Sequence, residues 1–569
     1  MTVLPLTPPT EALRAAALAW VADDPDPRTR AEVEGLLAAG DGAALAERFG
    51  SRLEFGTAGL RGKLGAGPNR MNRALVRRAA AGLARYLHAQ GTDARGVVIG
   101  YDARHQSDEF AADTAAVMAG AGITAYLLPR PLPTPVLAYA ICYLHADAGV
   151  MVTASHNPTE YNGYKVYLGD GAQIIPPTDQ AISAHIGAVR SLRDVPLAPA
   201  DDPRIVLADE RVVEQYLADG LAQSLTPGAR DLNIVYTAMH GVGGSIATRL
   251  LQNAGFNQID IVRPQFDPDP DFPTVAFPNP EEPGALDLSL AEARRSHADV
   301  VLANDPDADR LGVGVPEGPD GEGWRGLSGD EIGVLLADHI LSHTSGDDRL
   351  VVTSIVSSTM LSRMAAAAGV HFIETLTGFK WLARAVDNHP GWRFVFGYEE
   401  ALGYCAGTMV RDKDGITAAL LFAELVAALK AEGRSVHDRL DDLAREYGAH
   451  VTLQWSSVLT GADGPARIRD MVHQLTTAPP AELDGWPVTT VIDLQGPSSG
   501  LPPTDGVVLY LGDSVRIIVR PSGTEPKIKV YFEVVKPVCE GNVAEARARG
   551  VATVARLKHA MATITGLPA

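Results

Sequence analysis

The feature that most constrains the fold of this chain is an alternation of short β-rich runs and helical periods, which occurs three times. Such an alternation predicts helices layered on strands, and hence three related α/β domains. The first unit has predicted strands at 96–100 and 123–128, helices at 108–118 and 136–142, and a strand leading to residue 155. The second has strands at 232–236, 259–262 and 299–304, with a helix after residue 244. The third has strands at 350–353, 371–373 and 393–396, with helices at 359–368 and 380–386.

The two ends of the chain follow other patterns. Near the C-terminus, predicted hairpin strands at 507–511, 515–519 and 528–534 precede a helix from about 543 to 561, which indicates an α+β module. The opening stretch is helical up to about residue 48, with a Pro/Asp interruption at 24–27. We therefore predict a helical extension at 1–48, α/β domains at 49–215, 216–325 and 326–445, and an α+β domain at 446–569.

Composition argues against several functional classes. The net charge of −20 argues against a nucleic-acid partner, because phosphate backbones need a basic face. No uncharged apolar run approaches the roughly 18 residues of a membrane helix, and the short apolar stretch at 15–22 lacks the cationic flank of a signal peptide. Cys142, Cys405 and Cys539 lie too far apart for a disulfide framework. A cytoplasmic protein without a membrane partner is therefore expected.

Each α/β unit ends in a polar loop: 155–157, 305–310 and 397–400. Ligands of α/β sheets usually lie beyond the strand ends, so three such loops are expected to face one cleft. In a chain this acidic, any anion site must be built locally from a few Arg and Lys residues.

The first of these loops is the segment TASHNP at 153–158, which joins a small hydroxyl, Ser155, to an imidazole, His156. Asn157-Pro158 follows the apolar run at 149–152 and strongly favours a turn there. The segment predicts an exposed serine nucleophile, and by itself it is also compatible with an ordinary turn.

The second loop carries alternating carboxylates at Asp305, Asp307 and Asp309. This spacing predicts a hard-oxygen site for Mg²⁺. An EF-hand is excluded, since its sixth and twelfth positions would be Arg310 and Pro316 instead of Gly and Glu. The remaining alternative is a solvated acidic turn such as the one at 267–271.

A donor-rich turn, RPSGTEPK, lies at 520–527. Arg520 can donate two parallel hydrogen bonds to a phosphate, the hydroxyls of Ser522 and Thr524 can donate to it as well, and Gly523 lets backbone amides approach an anion. An ordinary Pro-Ser-Gly hairpin turn is the alternative. Three other patterns are set aside. The segment 496–500 lacks the context of a nucleophile elbow, and 59–63 fails the Walker A spacing. The glycines at 241–244 are followed by Ile246, where a dinucleotide fingerprint needs Gly or Ala.

Taken together, the chain resembles the α-D-phosphohexomutase superfamily over nearly its whole length. The matching segments, in the family's order, are 55–62 (FGTAGLRG), 153–158, 305–310 and 520–526. Segments 397–401 and 412–415 look closest to the phosphoglucomutase-2-like branch, whose members act on hexose or pentose phosphates.

This resemblance implies three α/β domains and a C-terminal α+β domain around a central cleft, in which a phosphoserine enzyme interconverts hexose 1-phosphate and hexose 6-phosphate through a 1,6-bisphosphate. Ser155 is the implied phosphoserine, and it binds Mg²⁺ together with Asp305, Asp307 and Asp309. Arg310 steadies the phosphoryl group, and His156 and Lys165 are the implied acid/base groups. The implied substrate-binding residues are Arg61, Lys380, Glu399, Glu400, Arg520, Ser522, Gly523, Thr524 and Lys527. The implied activator is a sugar 1,6-bisphosphate, and a monomer or weak homodimer is expected.

Several alternatives remain at this point. Many relatives carry Glu-x-Ser in the sugar loop, whereas this chain has Glu399-Glu400-Ala401, which leaves phosphomannomutase or phosphopentomutase activity beside phosphoglucomutase activity. A phosphatase with Asp305 as nucleophile and a non-enzymatic sugar-phosphate sensor are the alternatives from other classes.

Overall fold

The computed structural model describes residues 9–318, 323–459, 464–522 and 527–568. Three short helices open the chain, and a mixed set of strands and helices follows. In chain order the elements up to residue 221 are α1 (Glu11–Asp23), α2 (Pro27–Ala39), α3 (Gly42–Phe49), β1 (Leu60–Lys63), α4 (Arg73–Gln90), β2 (Val97–Tyr101), α5 (Ser107–Gly120), β3 (Ala125–Leu127), α6 (Thr134–Tyr143), β4 (Ala148–Val152), β5 (Tyr161–Leu168), α7 (Thr178–Gly187), β6 (Ile205–Leu207) and α8 (Arg211–Leu221).

The elements that follow continue the alternation. Up to residue 326 they are β7 (Asn233–Thr237), α9 (Gly244–Asn253), β8 (Gln258–Ile261), α10 (Asp287–Ser296), β9 (Val300–Ala303), β10 (Gly312–Glu317) and β11 (Gly323–Gly326). Up to residue 447 they are α11 (Gly329–His343), β12 (Arg349–Ser354), α12 (Met360–Ala368), β13 (His371–Thr375), α13 (Phe379–Leu382), β14 (Arg393–Glu399), β15 (Gly403–Ala406), α14 (Gly415–Ala431) and α15 (Val436–Tyr447).

The last part of the chain is mainly antiparallel. Its elements are β16 (Ala449–Val458), α16 (Gly464–Thr477), β17 (Glu482–Leu483), β18 (Trp486–Pro487), β19 (Thr490–Asp493), β20 (Val507–Leu511), β21 (Val515–Pro521), β22 (Lys527–Lys536) and α17 (Val543–Thr565). Among the described residues, none of the helices combines the length and the apolar character that a membrane crossing requires.

The chain divides into two compact units, one formed by Met1–Leu327 with Leu402–Ala427, the other by Ser328–Ala401 with Ala428–Ala569. In the first unit, one sheet has the order β1-β5-β4-β2-β3-β6 and a second has the order β11-β10-β9-β7-β8. In the second unit, β12 pairs in parallel with β13 and β14. Strands β16, β22, β21, β20 and β19 form an antiparallel sheet.

Local sequence chemistry explains where these elements begin and end. The interruption predicted at 24–27 is the junction of α1 and α2, where Asp26 caps the new helix and Pro27 occupies its first turn. Helix α2 ends at Gly40, which takes the left-handed conformation at φ 67°. Strand β4 is buried at every position, as expected for a central strand of a mixed sheet covered on both faces.

The structure confirms the alternation read from the sequence, with one correction. The helix predicted at 380–386 ends at Leu382, because the following residues make turn bonds to carbonyls three residues back, such as Ala385 N–H to Leu382 O. The predicted domain limits are not tested by these elements and stay predictions.

Candidate active site

Ser155 lies in a tight turn immediately after strand β4. Its φ of 51° is left-handed. The residue is only 3% exposed, so the prediction of an exposed serine is wrong. The Ser155 N–H donates to the hydroxyl of Thr153 at 2.8 Å, which fixes the start of the turn. A non-glycine residue in this conformation is uncommon and marks a locally constrained position.

The Ser155 hydroxyl faces two groups of different chemistry. Its Oγ donates to Asp305 Oδ2 at 2.9 Å and lies 3.2 Å from His156 Nδ1. Burial, reinforced by the positive charges of Arg310 and Arg61, holds the pKa of His156 well below its ordinary value. His156 is therefore a neutral imidazole beside the serine oxygen, and one of its ring nitrogens can accept a hydrogen bond.

The three predicted carboxylates lie together in the loop after β9. One carboxylate oxygen from each of Asp305, Asp307 and Asp309 lies within 4.8 Å of the others, and all three residues are buried. Asp305 Oδ1 accepts the N–H of Arg310 at 3.1 Å, which closes the loop on itself. Thr134, at the start of α6, donates its hydroxyl to Asp307 Oδ2 at 2.7 Å.

Two lysines neutralise part of this carboxylate cluster. Lys165 lies on β5, which pairs antiparallel with β4, and its Nζ is 2.8 Å from Asp307 Oδ2 and 3.2 Å from Asp309 Oδ2. Burial alone lowers the pKa of Lys165, but Asp307 and Asp309 outweigh it and raise the pKa above the ordinary value. Lys413 Nζ lies 3.1 Å from Asp309 Oδ2. Both ammonium groups therefore converge on one carboxylate oxygen.

The donor set fits a divalent metal ion. Asp307 Oδ1 and Asp309 Oδ1 are buried and have no hydrogen-bond partner among the described residues, although buried carboxylate oxygens are normally satisfied. Burial, together with the charges of Asp307 and Asp309, raises the pKa of Asp305 well above its usual range. Carboxylate oxygens held this close without full neutralisation are the ligands that a hard cation takes.

The glycine-rich segment that imitates a dinucleotide fingerprint lies against this loop. Val242 N–H donates to Pro306 O at 2.9 Å. A Cβ at Gly241 would lie 2.3 Å from Pro306 Cα, and one at Gly243 would lie 2.7 Å from Ala308 Cβ. These glycines let the backbone approach the carboxylate loop, so the glycine pattern has a packing origin.

Two arginines flank the serine and the carboxylates. Arg61, on β1, donates from Nη1 to Asn157 Oδ1 at 3.1 Å. Arg310 Nη1 lies 3.4 Å from Glu281 Oε2, and its Nε lies 3.9 Å from Asp309 Oδ1. The first unit thus brings together every residue predicted for it: Arg61, Ser155, His156, Lys165, Asp305, Asp307, Asp309 and Arg310.

The second unit holds the other predicted residues. Glu399 Oε1 accepts the N–H of Gly378 at 2.6 Å, and Arg520 hydrogen-bonds the hydroxyl of Thr377, so both side chains meet the same short segment. Glu400 Oε2 instead accepts from Ser354 at 3.1 Å and from Ser357 at 3.3 Å. These contacts tie Glu399 and Arg520 to the segment that leads into α13.

The other residues predicted to bind substrate in this unit are Lys380, Ser522, Gly523, Thr524 and Lys527. Lys380 lies on α13. The N–H of Ser522 donates to Lys527 O at 2.7 Å. Gly523 and Thr524 lie outside the described residues.

Sequence reasoning missed three residues of the site: Arg104, Thr134 and Lys413. Arg104 follows β2, which is the parallel neighbour of β4, so its position beyond a strand end was an available signal. Thr134 carried no such signal, because nothing local links the start of α6 to a loop more than 170 residues away. Lys413 lies in a segment that supported the resemblance but had no assigned role.

Comparison with known proteins gives matches across most of the chain. Four family models match: "Phosphoglucomutase/phosphomannomutase, alpha/beta/alpha domain I" at residues 52–193, domain II at 214–318, domain III at 328–447, and the C-terminal domain at 482–550. A Haemophilus influenzae protein described as "Probable phosphomannomutase" is 46% identical over 470 residues, covering 81% of this chain and 93% of that protein. A Staphylococcus aureus phosphoglucomutase is 37% identical over 501 residues, covering 85% of this chain and 90% of that protein.

Solved structures share the fold. The open form of the Paramecium phosphoglucomutase pp63/parafusin matches with a TM-score of 0.68 at 19% identity, covering 91% of this chain and 97% of that one. A phosphoglucomutase/phosphomannomutase family protein from Burkholderia thailandensis matches with a TM-score of 0.64 at 21% identity, covering 88% and 97%.

Proposed function

The chain belongs to the phosphoglucomutase/phosphomannomutase family, and we propose that, within it, this protein acts on glucose phosphates by way of a phosphoserine at Ser155. Family membership makes it an intramolecular phosphotransferase that interconverts hexose 1-phosphates and hexose 6-phosphates. The choice of glucose, the phosphoserine and the residue roles below are the proposal.

The observation that carries the proposal is the contact between Ser155 Oγ and Asp305 Oδ2 at 2.9 Å. It puts the buried hydroxyl of Ser155 against the carboxylate cluster, with the Lys165 ammonium 2.8 Å from the neighbouring Asp307. Phosphoryl transfer depends mainly on positioning and on neutralising charge on the phosphoryl oxygens. This set of groups supplies both.

The proposed reaction has two transfers. In the first, the bond between phosphorus and the Ser155 oxygen breaks while a bond forms from phosphorus to the free hydroxyl of a sugar monophosphate. The sugar hydroxyl gives its proton to a nearby base, and the Ser155 oxygen takes up a proton. The product is a sugar 1,6-bisphosphate. After it reorients, its other phosphoryl group is transferred to the Ser155 hydroxyl, which gives up its proton, and the sugar oxygen that leaves regains a proton.

The residues of the first unit have distinct proposed tasks in these transfers. His156 Nδ1 lies 3.2 Å from Ser155 Oγ, a distance at which it can relay a proton to or from that oxygen. Lys165 and Arg310 supply positive charge to the transferring phosphoryl group. Asp305, Asp307 and Asp309 would hold Mg²⁺, which when bound supplies a Lewis acid for the phosphoryl oxygens.

Substrate recognition is assigned to the family's sugar and phosphate loops. We propose Glu399 as acceptor of the sugar hydroxyls and Arg520, Ser522 and Lys527 as donors to the phosphate that does not react. Arg61, Lys380, Glu400, Gly523 and Thr524 keep the substrate-binding roles that the resemblance gives them. A bisphosphate activator, a monomeric or weakly dimeric state and a cytoplasmic location also stay predictions.

A coupled assay tests the sugar preference. Purified protein is given glucose 1-phosphate, mannose 1-phosphate or ribose 1-phosphate at fixed Mg²⁺ and a catalytic amount of the matching bisphosphate. The proposal expects the largest kcat/KM with glucose 1-phosphate. A larger value with mannose 1-phosphate or ribose 1-phosphate would refute the glucose assignment, while steady phosphate release without isomerisation would favour a phosphatase.

A further inference from the structure

Arg104 makes an unusual set of contacts with the Ser155 turn. Its Nη2 donates to Ser155 O and to Asn157 O, both at 2.6 Å, and its Nη1 donates to Pro158 O at 2.9 Å and to Tyr161 O at 3.2 Å. The residue is 4% exposed. One guanidinium therefore binds four backbone carbonyls between residues 155 and 161.

The turn itself offers few alternatives for holding this shape. Asn157 N–H donates to Ala154 O at 3.1 Å, and Tyr161 N–H donates to Pro158 O at 3.0 Å. These bonds bend the chain locally and give Pro158 O a second donor, but they leave the carbonyls of Ser155, Asn157 and Tyr161 to Arg104. A buried carbonyl without a donor costs free energy, so the turn keeps its conformation only while the guanidinium is in place.

Arg104 is itself held from the opposite side. Asp102 Oδ2 lies 3.3 Å from Arg104 Nε, and Asp102 Oδ1 accepts the Arg104 N–H at 3.0 Å and the Ser107 hydroxyl at 2.7 Å. Asp102 N–H donates to Val152 O at 3.0 Å, which continues the pairing of β2 with β4. The guanidinium is thus fixed to the strand that delivers the turn.

We propose that Arg104 is a positioning residue for the transfer reaction, one that holds Ser155 in its left-handed conformation so that Oγ points at Asp305. This inference rests on the proposed function of Ser155. Arg104 does not act as a phosphate ligand here, since its Nη1 and Nη2 donate to backbone carbonyls. It acts through the backbone of the turn.

Lysine cannot replace this residue. A guanidinium presents five donors in a rigid plane, whereas an ammonium presents three donors from a single point and cannot reach four carbonyls spread along a turn. Arg104→Lys therefore keeps the charge beside Asp102 but releases part of the turn. Misplacement of a reacting group by about 1 Å costs about 10²-fold in rate, so a loss of that size in kcat is expected.

The test compares Arg104→Lys with Arg230→Lys in steady-state kinetics, thermal melts and mass spectrometry of Ser155 phosphorylation. Arg230 is a matched control because it also donates to three backbone carbonyls, of Thr226, Ala229 and Ala254, and pairs with a carboxylate, that of Glu424. We expect Arg104→Lys to lower kcat about 10²-fold with KM unchanged. Arg230→Lys should lower the Tm but leave kcat at the wild-type value.

A second variant covers the case in which Arg104→Lys does not fold. Asp102→Asn keeps the size of the side chain, removes the charge facing the guanidinium and replaces one acceptor oxygen by an amide NH2. It should therefore lower kcat with KM unchanged, to a smaller extent. Wild-type kcat in both folded variants, or an equal loss in Arg230→Lys, overturns the positioning role. The wild-type protein separates the two claims: if it shows no mutase turnover, the proposed function fails and this inference falls with it.

Discussion

Replacing Gly241 by alanine should displace the carboxylate loop without touching any of its ligands. A Cβ at this position would lie 2.3 Å from Pro306 Cα and 2.5 Å from Pro306 O, whereas ordinary van der Waals contact begins at 3.4 Å. Both contacts are with backbone, so no side chain can rotate away to relieve them. The loop between Asp305 and Asp307 must therefore shift by about 1 Å.

The size of the effect follows from that shift. A displacement of about 1 Å at a reacting group costs about 10²-fold in rate, equivalent to about 3 kcal/mol of transition-state stabilisation. Overpacking of a tight contact adds a stability loss of about 1–3 kcal/mol. Steady-state kinetics across a range of Mg²⁺ concentrations should show a lower kcat and a weaker apparent affinity for the metal, and urea unfolding should show the stability loss.

Gly228→Ala is the matched control. Its added Cβ would meet nothing within 4 Å among the described residues, so this variant should keep the kinetics and the stability of the wild type. The reasoning is refuted if Gly241→Ala has the kcat and the metal dependence of Gly228→Ala, because the contact with Pro306 would then have no consequence for the loop.

Three further predictions concern the charged groups. Lys165→Met should destabilise the metal-free protein by about 3–5 kcal/mol, because Asp307 and Asp309 lose a buried cation; urea unfolding in EDTA measures this, and an unchanged midpoint would contradict it. Mg²⁺ should bind more tightly as pH rises, because the metal competes with a proton for Asp305, whose pKa is raised well above its usual range by burial and by Asp307. Calorimetry should detect the release of this proton when the metal binds, and a pH-independent affinity for Mg²⁺ would contradict the competition. Burial raises the pKa of Asp330 to about 6, so the native state keeps a proton that the unfolded chain releases near 3.8. The free energy of unfolding, measured relative to Asp330→Asn, should therefore fall as pH rises from about 3.8 to about 6. A difference between the two proteins that stays constant with pH would contradict the shift.

The alternation of strands and helices was predictable because its periodicity is local. Strand β4 and the turn at Ser155 follow from a short apolar run ended by Asn157-Pro158. The carboxylate cluster was equally accessible, since Asp305, Asp307 and Asp309 lie within five residues of one another. In each case the signal and the structure that it predicts occupy the same stretch of chain.

The contacts that the sequence did not reveal join distant parts of the chain. Thr134 donates to Asp307, and Arg104 donates to carbonyls more than 50 residues away, so neither pairing has a local pattern. The resemblance named Lys165, but its position depends on β5, a strand that the periodicity did not predict. Strand β5 pairs with β4 and so brings Lys165 into the site. Glu400 accepts hydrogen bonds from Ser354 and Ser357, and these contacts also depend on tertiary packing.

The central claim is that Ser155 carries the phosphoryl group, and its most direct test is intact-mass spectrometry of the wild type and of Ser155→Ala after incubation with glucose 1,6-bisphosphate and Mg²⁺. The wild type should gain the mass of one phosphoryl group on a peptide that contains Ser155, and Ser155→Ala should gain none and lose mutase turnover. Ser155→Ala that is phosphorylated elsewhere and turns over at the wild-type rate would contradict the account.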